Sequence, residues 1–96
     1  MVTLSAIRSK RSRLLDLAAR HGARNIGVFG SVARGDADQA SDLDLLVDLE
    51  PGRSLIDLGA FLADIEVELG VSVDVVTEAG LRPALRERVL QEVVPL

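Results

Sequence analysis

Three strand-like runs, Ile26 to Phe29, Asp42 to Leu49 and Val71 to Val76, alternate along the chain with segments whose apolar residues recur at helical spacing. Each run is too short for a helix and is bounded by a glycine or a turn pair. A run of this kind satisfies its backbone N–H and C=O groups only by pairing with another strand. The helical segments in turn can bury their apolar stripes only against that sheet or each other. Helices packed on a small sheet are therefore the expected architecture.

The helical segments have their own punctuation. Leu4, Ile7, Leu14, Leu17 and Ala18 share one face, with Arg8, Lys10, Arg11 and Arg13 between them, and Gly22 follows His21 as a stop; the spacing predicts a helix from about Leu4 to His21. Asn25 opens the first strand and Gly30 closes it. Ser31 to Arg34 reads as one helical turn, and Asp36 to Ser41 as a polar loop. The second strand, Asp42 to Leu49, ends at the Pro51-Gly52 turn. Ser54 is placed to cap a helix carrying Leu55, Leu58, Leu62, Ile65 and Leu69, which Gly70 ends. The third strand, Val71 to Val76, is rich in β-branched residues, and Pro83 suits the first turn of a last helix bearing Leu85, Val89 and Val93. The predicted order is α-β-α-β-α-β-α in a single domain, residues 1–96, an α/β (α+β) fold around a small, mixed, three-stranded sheet. The apolar end, Val89 to Leu96, suits either core or interface.

Connection lengths set the strand directions. A short link joins the first two strands, so they should run antiparallel and bring Ser31 beside Asp42 and Asp44. The helix from Leu55 to Leu69 then returns the chain, so the third strand should lie parallel to the second and bring Asp74 to the same end.

That convergence points to chemistry. Gly30-Ser31 follows an apolar strand, and glycine lets backbone amides approach a phosphate closely. Asp42 and Asp44, two apart on a strand, would share a face at roughly 6 to 7 Å. With Asp74 they would form a carboxylate triad whose mutual repulsion calls for one or two Mg²⁺ ions. Paired ions about 3.5 to 4 Å apart serve phosphoryl chemistry by activating the attacking oxygen and steadying the leaving group. Arg34 is either a phosphate contact or a surface charge. His21, the only histidine, reads as structural near a helix end. Arg82, Arg86 and Arg88 read as solvated unless the last helix borders the site.

Composition narrows the function. Phe29 and Phe61 are the only aromatics, so there is no Trp or Tyr on which to stack bases, and direct nucleic-acid binding is not expected. With no cysteine there is neither a disulfide framework nor a thiolate metal site. Ser5 to Arg13 is polar and basic with no apolar core after it, and no stretch is long enough to span a bilayer, so a cytoplasmic protein without membrane contact is expected. Residues 1–34 carry seven Lys/Arg against Asp16, whereas residues 35–81 carry twelve Asp/Glu against Arg53. The segregation suits a cation-gathering middle with a basic start that meets phosphate or an acidic partner, or simply two solvated faces.

With Gly30, Ser31, Asp42, Asp44 and Asp74 in these positions, the chain resembles the nucleotidyltransferase superfamily that includes DNA polymerase β. Its size makes it similar to the minimal nucleotidyltransferase (MNT) antitoxins of HEPN/MNT toxin–antitoxin modules. The resemblance covers nearly the whole chain and is most specific from Val28 to Val47. It implies that Gly30 and Ser31 bind nucleotide phosphates, that Asp42 and Asp44 ligate Mg²⁺, and that Asp74 assists metal binding and activates the acceptor hydroxyl. It further implies transfer of AMP from ATP to a hydroxyl, a tyrosine of a cognate HEPN ribonuclease toxin, within a hetero-oligomer of the two proteins. A domain this small has little room for an acceptor pocket, so the partner would present its own acceptor. Two other readings fit the same residues: an antitoxin that neutralises by occlusion, with the acidic triad dispensable, and a small-molecule nucleotidyltransferase, which would need further structure to bind its acceptor.

Overall fold

Ser54 begins the longest helix as expected. In the computed structural model, which describes residues 2–96, the Ser54 hydroxyl accepts from the Ile56 amide while Asp57 accepts from the Ser54 amide, a reciprocal capping box. The helix runs over Leu55–Leu69 (here α4) until Gly70, in the left-handed conformation, ends it. The remaining elements, in chain order, are α1 (Leu4–Ser9), α2 (Arg11–Arg20), β1 (Ala23–Phe29), α3 (Gly30–Arg34), β2 (Leu43–Leu49), β3 (Val73–Thr77), a 3₁₀ turn (Glu78–Gly80), α5 (Pro83–Glu92) and β4 (Val94–Pro95).

Four strands form one mixed sheet in the order β3-β2-β1-β4. β1 pairs antiparallel with β2 and β4, and β2 pairs parallel with β3, so the predicted directions hold. Strand period sorts the side chains. Val28, Leu43, Leu45, Val47, Val73 and Val75 are buried with Ile7, Leu14, Leu17, Phe61 and Ile65 of the helices, and this aliphatic layer is the core. The described residues include no buried polar or charged side chain. Asp44 and Asp74 take the opposite sheet face. Among the described residues no helix is long and apolar enough to cross a membrane.

The structure corrects the expected elements in several places. The third strand runs over Val73–Thr77 rather than Val71 to Val76, and α5 ends at Glu92, so Val93 lies outside the last helix in extended conformation. The helix predicted over Leu4 to His21 is broken at Lys10, which leaves helical geometry while its Nζ donates to the Glu68 carbonyl at 3.1 Å, so a contact across to α4 accompanies the break. The first strand begins at Ala23 rather than near Asn25, because a bulge between Arg24 and Gly27 lets it continue. Asn25 takes the left-handed conformation there and bonds Asp48 through Nδ2 at 2.8 Å. The second strand starts at Leu43, so Asp42 stands just outside it. The sheet has four strands rather than three: Val94 and Pro95 pair with Val28 and Gly27 at the edge, where proline is tolerated. Gly27 makes that edge possible, since a Cβ there would overlap Val93 Cγ2.

Candidate active site

The site grows from one register. On the parallel pair β2/β3, Asp44 lies opposite Asp74, while on the antiparallel pair β1/β2 Asp44 lies opposite Phe29, the residue before Gly30. Asp44 is thus the hinge of the constellation, joined on one side to the Gly30-Ser31 turn and on the other to the third carboxylate. Gly30 has φ +72, and a Cβ there would overlap the Asp44 carboxylate. The absence of a side chain at Gly30 therefore makes the cradle in which Asp44 sits. α3 follows at once and ends at Gly35, with the Ser31 carbonyl accepting from the Gly35 and Asp36 amides at 3.0 Å each.

The electrostatics follow from this placement. Asp44 is half-buried, and burial pushes its carboxyl above the ordinary range; the charges of Asp74 and then Asp42 push it further, while Arg34 opposes the rise. Asp42 and Asp74 are exposed. None of the three carries an ion pair among the described residues. Asp42, one residue ahead of β2, lines a small cleft with Ser41 and Ser72. Its charge acts on Asp44 from there. Among the described residues no three His, Cys, Asp or Glu side chains converge closely enough to hold a metal ion as they stand. The donor set nonetheless suits a hard cation: carboxylate oxygens only, one of them destabilised in its charged form by its neighbours, beside a cradle that a Cβ would close.

Arg34 is engaged rather than waiting. Its Nε donates to Asp36 Oδ2 at 3.2 Å and its Nη1 to Glu92 Oε1 at 3.1 Å, and these carboxylates hold its pKa above the ordinary value. Glu92 escaped the reading of the sequence, yet its Oε1 also accepts from the Gly30 amide at 2.9 Å. No local pattern announces it, because it is the last residue of α5 and reaches the turn only through the fold. Arg88 lines the cleft between Gly30, Arg34 and α5, whereas Arg86 lies in a cleft with Arg24 and Asp48 toward the other end of β2. His21 pairs with Asp64 at 2.6 Å beside Phe61, in the structural role expected of it.

Similarity to known proteins agrees with this geometry. Residues 10–96 match the family model described as a nucleotidyltransferase domain. The protein adenylyltransferase MntA of Thermococcus cleftensis is 41% identical over 95 residues, covering 98% of this chain and 96% of that protein. A Methanocaldococcus jannaschii protein, provisionally named a protein adenylyltransferase, is 36% identical over 84 residues, 88% of this chain and 90% of that one. A solved structure provisionally described as a minimal nucleotidyltransferase superposes with a TM-score of 0.88 at 53% identity, over 99% of this chain and 97% of that one. A chain from a toxin–antitoxin structure with AMP-PNP superposes with a TM-score of 0.74 over 88% of this chain and 69% of that one. At 20% identity this last likeness is one of fold alone.

Proposed function

The chain belongs to the nucleotidyltransferase domain family, and from that membership we propose that it is a protein adenylyltransferase of the antitoxin kind, moving AMP from ATP to a tyrosine hydroxyl of a cognate HEPN-domain ribonuclease toxin. The observation that carries the reading is the register that sets Asp44 opposite Asp74 and against Gly30. Two carboxylates thus meet beside a glycine turn, which supports reading them as metal-binding and proton-accepting groups of a phosphoryl transfer.

In this reading Asp42, Asp44 and Asp74 hold Mg²⁺, as two ions. Bound there, magnesium supplies positive charge to the polyphosphate and lowers the pKa of an attacking hydroxyl. The chain's own residues do the rest. The Gly30 amide and Ser31 seat the phosphates, and Arg34 balances their charge. Asp74, exposed at the open face, accepts the proton of the incoming hydroxyl. The hydroxyl oxygen bonds to the α-phosphorus as the bond to the bridging oxygen breaks, so pyrophosphate leaves with that electron pair. Asp42 and Asp74 stand exposed, which suits an acceptor delivered on the surface of a partner.

The test uses the toxin encoded beside this chain. Incubation with ATP and Mg²⁺ should add AMP to that toxin by intact mass, and Asp42→Asn or Asp44→Asn should reduce the addition by at least a hundredfold. If the double Asp42→Asn/Asp44→Asn protein still neutralises the toxin in cells and no mass increment forms with the wild type, neutralisation is by occlusion and the transfer reading falls.

A further inference from the structure

Glu92 sits where a phosphate is expected. Its Oε1 accepts from the Gly30 amide at 2.9 Å and from Arg34 Nη1 at 3.1 Å, and its Oε2 lies 3.3 Å from the same Nη1. An ionised carboxylate offers what the edge of a phosphate offers: a negative charge and paired acceptor oxygens suited to a guanidinium and a backbone amide. Glu92 also brings a fourth carboxylate toward Asp44, whose charged form its field disfavours. A merely structural link between α5 and α3 would gain nothing from adding like charge to a cluster that already repels itself.

We propose that Glu92 is an internal stand-in for the nucleotide's phosphates: it holds the Gly30 amide and Arg34 until a triphosphate displaces it, and so sets the affinity of the site for its donor. The inference rests on the reading of Gly30 and Arg34 as phosphate contacts. The displaced carboxylate has a place to go. Arg88 precedes Glu92 by one turn of α5 and lines the same cleft as Gly30 and Arg34, so rotation of the Glu92 side chain exchanges one guanidinium for another. The turn is thereby kept occupied without nucleotide, and the cost of its release is small.

Isothermal titration of Mg·ATP into wild type and Glu92→Gln tests this, with amide NMR of Gly30 as a second readout. The carboxamide can still accept from the Gly30 amide but carries no charge, so Glu92→Gln should bind Mg·ATP about tenfold tighter. In the wild type the Gly30 amide should shift on saturation, as Glu92 departs. Equal or weaker binding by a folded Glu92→Gln protein overturns the proposal while leaving the transfer reading intact, as does a Gly30 amide that stays still in nucleotide-saturated wild type. Should Glu92→Gln fail to fold, Glu92→Asp, which keeps the charge but shortens its reach, must bind tighter than wild type for the proposal to survive. If neither wild type nor variant binds Mg·ATP, the transfer reading and this inference fall together.

Discussion

At the residue level Asp44 works against the fold it belongs to. Burial and the charges of Asp74 and Asp42 raise its pKa, so the folded state binds its proton more tightly than the unfolded chain does. The penalty of holding Asp44 ionised is absent below the ordinary carboxylate range of about 3.9 and complete above the raised folded value. Asp44→Asn should therefore raise the Tm at neutral pH even as it removes transfer. The rise should be on the order of a few degrees, because water screens a half-exposed group. Melts at pH 7 and near pH 3.5 check the sign: the advantage of the variant should shrink toward zero in acid. That Asp44, Asp74 and the Gly30 turn meet was legible in the sequence because strand period and connection length are local properties that fix which residues come together. Glu92 was not legible, since it lies 62 positions from Gly30 and occupies a helix end of ordinary composition.

Among the elements, legibility followed the strength of local signals. α4 was readable because Ser54, the apolar spacing and Gly70 agree, and β3 because β-branched residues follow a helix stop. The break at Lys10 was not, for the apolar spacing of Ile7 and Leu14 runs through it unchanged and the contact with Glu68 is tertiary. Nor was β4, a two-residue strand whose place depends on Gly27. A Cβ at Gly27 would meet Val93 Cγ2, and Val93 directly follows Glu92. Gly27→Ala should thus destabilise the protein by about 1–3 kcal/mol through overpacking, measured by urea unfolding. Val93→Ala in the same chain should recover part of that loss, since it removes the obstructing methyl group. Failure of the second substitution to recover stability would place the strain elsewhere than at the β1–β4 edge.

For the molecule as a whole, the charge segregation of the sequence turns out to be partly internal. The basic α2 packs beside the acidic α4, with Arg13 on Glu68 and His21 on Asp64, so a small part of that imbalance is met within the chain. Each such exposed pair is worth at most about 1 kcal/mol. Asp42, Asp44 and Asp74 are among the acids that have no ion-pair partner among the described residues, and they alone meet at the Gly30 end of the sheet. α2 and α4 thus support the core face of the sheet, while the carboxylate repulsion remains at the end where Asp44 and Asp74 meet. A cation that binds only the folded arrangement should then stabilise the entire domain by mass action. With Mg²⁺ at ten times its Kd the gain is about 1.4 kcal/mol, a Tm rise of roughly 6–11 °C for a domain of this size. Melts in MgCl₂ against NaCl of matched ionic strength measure it, and Asp44→Asn should flatten the response. Equal responses in the two proteins would mean that solvent alone relieves the carboxylates. The repulsion at Asp44 would then be no argument for a metal, and the case for one would return to family membership.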